Sequence, residues 1–365
     1  MTAFCLDFHA GYQCRHAGAC CESWSVPAEP QVVELVRTRH VRPNGVTGEL
    51  FTSSNEPDGS TKWTVARDQR GDCVFFDRQG GRLCVIHRDL GADALPVACR
   101  HFPRKVMIDG RGTLISLSHF CPTAAASLLS AGALTIVEAR PPLRLSPPIE
   151  GLDARDALPP LLRPGLLCDM EGYDAWERAG ISLFAESGRS FETCLDVLAV
   201  ATESIREWNP GGGTLAERVQ ADFQTAAEAR LALDWSSAQT IERVRLLTVG
   251  RVGDDLISLD GFDESWNDHP GKRLDWFNSA MKNYLASRLF ANWIAYQGRG
   301  LRTIVEWLRT CAAVVGHELL RRTGHSTVVP DPADFIEAVR SADLLLLHVL
   351  DSASFARHAS VIEDC

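Results

Sequence analysis

Cys14-Arg15-His16-Ala17-Gly18-Ala19-Cys20-Cys21 is the stretch on which the reading of this chain turns. Two adjacent cysteines behind a glycine are unusual, and they have company. Cys5 precedes them, and Cys73, Cys84, Cys99 and Cys121 follow, so eight of the twelve cysteines fall in residues 1–121. Packing gives no reason to crowd thiols in this way. Three physical readings remain: a disulfide framework, a set of buried inert cysteines, or a metal site.

Length and composition narrow the choice. The chain has 365 residues and 45% hydrophobic content, enough for a sizeable core and two domains. Met1-Thr2-Ala3-Phe4-Cys5-Leu6-Asp7 lacks the basic and apolar regions of a secretory signal, so a cytoplasmic location is expected. Thiols stay reduced there, which weakens the disulfide reading. Leu344 to Leu350 is the most apolar run and is far too short to span a bilayer, so no membrane partner is expected. A net charge of −10 argues against general nucleic-acid binding, which needs basic patches.

Working outward, Gln31 to Arg39 reads as a short helix and Lys62 to Arg67 as a strand with Trp63 and Val65 on one face. Gly71 to Asp77 and Leu83 to Ile86 read as a hairpin around the Arg78–Arg82 turn. His87 to Leu95 is a helical turn ended by Pro96; Val106–Ile108 and Thr113–Leu117 are two more strands, and Thr123 to Ser130 is a helix. Pro141, Pro142, Pro147, Pro148, Pro159, Pro160 and Pro164 then mark a linker or irregular strap. Beyond it the pattern is helical. Phe191–Trp208, Leu215–Trp235 and Ala238–Leu259 are amphipathic, and stripes from Leu274 to Trp293 and Leu301 to Leu319 follow. Asp331 caps a last long helix with Pro332 at its first position. The expectation is an α+β chain. Residues 1–140 form a small loop-rich cysteine-cluster domain, 141–165 a proline-rich linker, and 166–365 a mainly α-helical domain.

The residues also resemble something known. Cys14-x2-Ala17-Gly18-x-Cys20-Cys21 is similar to the signature of the CxxCxxCC zinc- or iron-chelating cysteine-cluster family. Further elements resemble its larger relatives, the flagellin lysine N-methylases. These are Cys20-Cys21-Glu22-Ser23-Trp24, Cys73-Val74-Phe75, Leu83-Cys84-Val85-Ile86, Leu90-Gly91 with Leu95, Cys99-Arg100-His101-Phe102-Pro103-Arg104, and Ser116-Leu117-Ser118 with Cys121-Pro122. The match spans residues 12–130; beyond it only Lys282-Asn283-Tyr284-Leu285 and its neighbouring helices are loosely similar. One departure stands out: Ala17 occupies the position of the signature's second cysteine.

Seven family cysteines remain as metal-ligand candidates: Cys14, Cys20, Cys21, Cys73, Cys84, Cys99 and Cys121. A structural zinc takes four Cys or His ligands at about 2.3 Å for sulfur, whereas a [4Fe–4S] cluster takes cysteine thiolates, and a Cys-Pro pair recurs at such sites. Neighbouring side chains point apart, so Cys20 and Cys21 suit a larger cluster or two sites better than one zinc. Arg100 and Arg104 can offset thiolate charge. His16, His87, His101 and His119 sit within three residues of a cluster cysteine, and each reads first as a hydrogen-bonded structural histidine.

Motif searches elsewhere fail. His317-Glu318 starts like a zinc-protease helix, but Arg321 stands where the second ligand belongs. Gly250-Arg251-Val252-Gly253 and Gly211-Gly212-Gly213 lack the setting of a dinucleotide or S-adenosylmethionine loop, and Asp254 to Asp268 does not fit a calcium loop. Cys168, Cys194, Cys311 and Cys365 look ordinary. Two functions stay open. The resemblance implies a protein-lysine N-methylase with S-adenosylmethionine as donor and flagellin or another protein as acceptor. The alternative is a non-catalytic zinc- or iron-chelating cysteine-cluster protein.

Overall fold

The computed structural model describes residues 2–361 except 19, 20, 23–25, 56–58, 79, 80, 142, 144, 146–148, 150, 230–232, 234, 249–258, 299 and 325–327. The chain is α+β, with strands mostly in the first 170 residues and helices mainly after them. A five-stranded sheet organises it, in the order Leu152–Asp153, Arg104–Asp109, Gly112–Leu117, Ala3–Leu6, Ile136–Glu138. The hairpin Arg104–Asp109/Gly112–Leu117 is antiparallel and closes with Asp109 opposite Gly112. Ala3–Leu6 pairs in parallel with Gly112–Leu117 and antiparallel with Ile136–Glu138.

Strand alternation decides which core each side chain enters. Leu6, Met107 and Leu114 face the helices and belong to the largest core, with Trp176, Leu198, Tyr284 and Leu308. Cys5, Ile115 and Leu117 face the other way and form a small core with Tyr12, Cys121 and Ala124. A third core, around Val33, Phe51, Phe75 and Ile86, fills the layer under the sheet of Pro27–Ala28, Thr61–Val65 and Phe51–Asn55. The expected strand at Lys62–Arg67 is therefore present as Thr61–Val65. Its partner Phe51–Asn55 carries no periodic signal because four of its five residues are exposed.

Two expectations change in detail. The Gly71–Asp77/Leu83–Ile86 hairpin pairs only over Phe76–Asp77 and Leu83–Cys84. Val85 and Ile86 instead begin a helix, Val85–Leu90, where both are buried in the third core with Phe75. Their β-branched shape favours a strand, but burial on one side overrides that weak local preference. In the proline stretch, Leu152–Asp153 pairs in parallel with Met107–Ile108 and forms a sheet edge, and Leu162 enters the largest core.

The helices are Met170–Ala185, Phe191–Arg206, Leu215–Glu228, Ser237–Thr248, Asp275–Leu289, Leu301–Thr323, Pro332–Asp343 and Ser352–Val361, with shorter turns between. Their starts are written in the sequence. Asp331 accepts from the Asp334 amide in a reciprocal capping box with Pro332 at the first turn, and Thr214 with Glu217 makes a second. Met170–Ala185 carries two glycines, which mask its helical signal. Both are needed for packing. A Cβ at Gly172 would lie 2.5 Å from Leu215, and one at Gly180 would lie 2.6 Å from Leu289. No described helix is long and apolar enough to cross a membrane.

His269 gives the helical part a pH dependence. The residue is buried, and its Nδ1 accepts from the Gly271 amide at 3.2 Å. Burial, and then the Lys272 charge, lower its pKa to about 4. The folded state thus holds fewer protons than the unfolded chain between the ordinary value near 6.5 and about 4. Stability should fall as pH drops through that window, by about 2–3 kcal/mol in full, and no further from this residue below it. Urea midpoints of the wild type and His269→Gln at pH 7 and pH 4.5 check this. The variant should lose distinctly less on acidification.

Candidate metal centre

Four turn-rich segments carry the candidate cysteines, each held by its own backbone. Cys21 ends the first hook: its amide donates to Gly18 O at 2.8 Å, and its carbonyl accepts from the Cys73 amide at 2.7 Å. The first bond closes the hook on itself, and the second fastens it to the next segment. Gly18 is required at the contact, with φ +85° and with Phe76 2.5 Å from where a Cβ would stand. Phe76 in turn pairs with Cys84 across the short ladder. Cys84 flanks the N-terminus of Val85–Leu90, Cys99 lies within Val97–His101, and Cys121 flanks Pro122–Ser127 with Pro122 at the first position.

These segments converge. Cys14, Cys21, Cys73, Cys84, Cys99 and Cys121 line one cavity of about 180 Å³. Cys21 and Cys121 are buried, Cys73, Cys84 and Cys99 are half-buried, and Cys14 is exposed. Cys20, the seventh candidate, lies outside the described residues, as do Trp24 and Cys365. Among the described residues no group of three His, Cys, Asp or Glu side chains is drawn together tightly enough to hold a metal ion. The described cysteines surround a space rather than a point.

The surroundings are cationic. Arg15, Arg82, Arg100 and Arg104 line the same cavity, and among the described residues none of its lining is acidic. Arg100 Nε is buried without a hydrogen-bond partner. Arg104 stands 5.7 Å from the centre of the Tyr12 ring, and the Tyr12 hydroxyl lies 3.5 Å from Cys121 Sγ. Burial, and then the Cys121 charge, push the Tyr12 hydroxyl pKa far above its ordinary value. That hydroxyl therefore stays protonated and can donate to a thiolate at Cys121.

Ala17 lines the cavity too, and Arg82 Nη2 donates to its carbonyl at 2.6 Å. The guanidinium thus ties the hook to the hairpin turn from outside the donor set. Outer residues that orient ligands typically carry about 10–100-fold in metal affinity. Arg82→Met should accordingly weaken metal retention by about tenfold or more while leaving the cysteine count intact. Competition against a chromophoric chelator reads this, and unchanged retention would remove Arg82 from the site.

The other sequence candidates divide. His16 and His87 line the cavity, with His16 Nδ1 4.0 Å from Cys14 Sγ. His101 and His119 are buried and do not line it. His119 belongs to a separate polar cluster, with His9 Nε2 at 3.1 Å and its amide donating to Asp343 Oδ2 at 2.5 Å. Cys168, Cys194 and Cys311 are buried in the largest core. Burial pushes the Cys168 thiol to about 12 and the Cys194 thiol to about 11, as expected of inert cysteines. Lys282-Asn283-Tyr284-Leu285 is used structurally. Lys282 Nζ donates to Glu186 O at 2.5 Å, Asn283 Nδ2 to Leu128 O at 2.9 Å and Tyr284 OH to Asp343 Oδ1 at 2.9 Å.

Tyr12 and Arg82 were not legible as site residues. Neither stands within the spacing of a ligand motif, and only the fold brings them to the cysteines.

The candidate cysteines lie within a known pattern. Residues 13–122 match the CxxCxxCC family model, described as a "Putative zinc- or iron-chelating domain". The matched stretch is under a third of the chain and includes every candidate cysteine from Cys14 to Cys121. No curated protein and no solved structure matches. The chelating-domain match thus covers residues 13–122.

Proposed function

We propose that this chain is a metal-binding protein whose chelating domain holds a [4Fe–4S] cluster, with its ligands drawn from Cys14, Cys20, Cys21, Cys73, Cys84, Cys99 and Cys121. One observation carries the reading: six cysteines from four separated segments line a single cavity. The donor chemistry suits iron–sulfur ligation, which uses thiolates. The size of the space favours a cluster over a lone ion. A single water needs about 10–15 Å³ on this kind of measure, and the cavity offers more than ten times that. Charge supports it as well, since thiolate clusters are anionic and four arginines line the wall.

When bound, such a cluster supplies one-electron chemistry and a cross-link between distant segments. The chain's own contribution is to hold the thiols apart around one space, to set arginines against their charge, and to exclude water with Tyr12, Leu95 and Phe102. Methyl transfer to a protein lysine is the finer reading that the methylase resemblance implies. The cavity offers a donor set, which is neither a methyl-donor site nor an acceptor groove, so chelation is the function it supports.

The test is metal analysis of the full chain purified without oxygen. Brown protein with about four irons per chain and an absorption that bleaches on reduction is expected. Colourless protein with stoichiometric zinc would hand the site to structural zinc.

A further inference from the structure

A second cavity, of about 110 Å³, lies where the five-stranded sheet meets the helices, away from the cysteines. Lys105 and Ser116, paired across the hairpin, form one wall, and Arg288, Asn292 and Trp293 form another. The polar groups here are held in place without being used up. Asn292 is buried, and its Oδ1 accepts from the Ile294 amide at 2.9 Å. That bond fixes the orientation of the amide, and its Nδ2 is buried with no hydrogen-bond partner. Trp293 Nε1 is likewise buried without a partner. Lys105 Nζ stands 4.2 Å from the centre of the Trp293 ring. Among the described residues no carboxylate lies within ion-pairing distance of that amine.

Unsatisfied buried donors are costly and uncommon in folded proteins. The backbone around them departs from the ordinary in two further places. Ala291 adopts φ 54°, a left-handed conformation rare for a residue with a Cβ. Leu344–Val349, which supplies Leu346 and Leu347 to the far wall, is a π-helix. Such turns are uncommon and concentrate at functional sites.

We propose that this cavity binds a small monocarboxylic acid with a short apolar tail. Lys105, Asn292 Nδ2 and Trp293 Nε1 would receive the carboxylate, and Trp307, Leu346 and Leu350 would enclose the tail. The charge balance selects a monoanion. Arg288 is already opposed by Asp343, with Nη1 and Oδ2 3.5 Å apart, so among the described residues Lys105 is the one uncompensated cation on the wall. His348, behind the cavity and bonded to Ser118 Oγ at 2.8 Å, is held neutral at pH 7 because burial and the Lys105 charge lower its pKa to about 4. His119 is lowered too, chiefly by burial. A phosphate dianion would leave a charge unmatched.

The experiment uses the full, metal-replete chain and ligand-observed NMR titration with isovalerate, its neutral amide isovaleramide, and inorganic phosphate. The expected result is saturable binding of isovalerate, at least tenfold tighter than isovaleramide, with phosphate failing to displace it. Lys105→Met should weaken isovalerate at least tenfold, and Trp293→Phe should weaken it less, while iron content and circular dichroism stay unchanged. Equal binding of acid and amide would overturn the carboxylate site, as would displacement by phosphate at lower concentration. So would a folded Lys105→Met variant with wild-type affinity. The acid–amide comparison needs no variant, so it decides the matter even if Lys105→Met does not fold.

Discussion

Replacing Cys99 or Cys121 with serine is expected to strip the metal and drive the chain out of the soluble fraction. Replacing Cys311 with alanine should do neither. Cys99 lies within one short helical turn and Cys121 just before another: Val97–His101 spans five residues and Pro122–Ser127 six. The segments around the cavity share the edges of two small cores and are tied by backbone bonds such as Cys73 N to Cys21 O. A ligand bound only by the folded state adds its binding energy to stability, which for a structural zinc peptide is about 10–16 kcal/mol. Losing one thiolate therefore removes more than one bond's worth of stabilisation. Cys311 lies in Leu301–Thr323 inside the helical core, where burial pushes its thiol far up and leaves it inert. Trimming its sulfur opens only a small void, costing about 1 kcal/mol. Iron per chain and the soluble fraction read both outcomes. A Cys99→Ser protein that keeps wild-type metal and solubility would remove Cys99 from the ligand set.

The second large effect concerns Asp343, at the end of Pro332–Asp343. Its fully buried carboxylate accepts from Tyr284 OH at 2.9 Å and from the His119 amide at 2.5 Å, and it faces Arg288 at 3.5 Å. Arg288 Nη2 also donates to Leu117 O at 2.5 Å, so one buried pair joins the sheet, the central helix and the last long helix. Asp343→Ala leaves the Arg288 charge buried without its counter-ion and should cost about 3–5 kcal/mol. That is a large share of the roughly 5–15 kcal/mol that holds a folded domain together. The double variant Arg288→Met/Asp343→Leu should recover part of the loss, because it removes both charges rather than one. Urea midpoints at pH 7 compare the wild type with Arg288→Met, Asp343→Leu and the double variant. Full additivity of the two single changes would show that the pair does not act as a unit.

The same contacts make the Asp343 pair sensitive to acid. Although burial raises the carboxyl's pKa, the Arg288 charge and the His119 bonds hold it well below the usual carboxylate range. Its contribution is present above the ordinary value near 4 and is lost as pH falls towards the folded value. Acid weakening through this pair therefore begins below the window in which His269 acts.

What the sequence alone determined is local. Asp331 and Pro332 announce a helix start through chemistry within four residues, and the stripes from Leu274 and Leu301 announce helices through a period of 3.6. The cysteines were legible as a group because their crowding has no packing cause, and their spacing carries the chelating-domain pattern. What only tertiary structure decided is which of these residues meet. Ala3–Leu6 joins a sheet with strands more than a hundred residues away, and no local period encodes such a pairing. Val85 and Ile86 look like strand residues and lie in a helix because a core formed elsewhere claims one side of them. Tyr12 and Arg82 reach the cysteine cavity through the sheet and the hairpin, not through motif spacing. Lys105 and Asn292 meet across 187 positions for the same reason. Short-range chemistry writes elements and ligand types into a chain, whereas the shape of a site comes from burial, which sums over contacts that no short window contains.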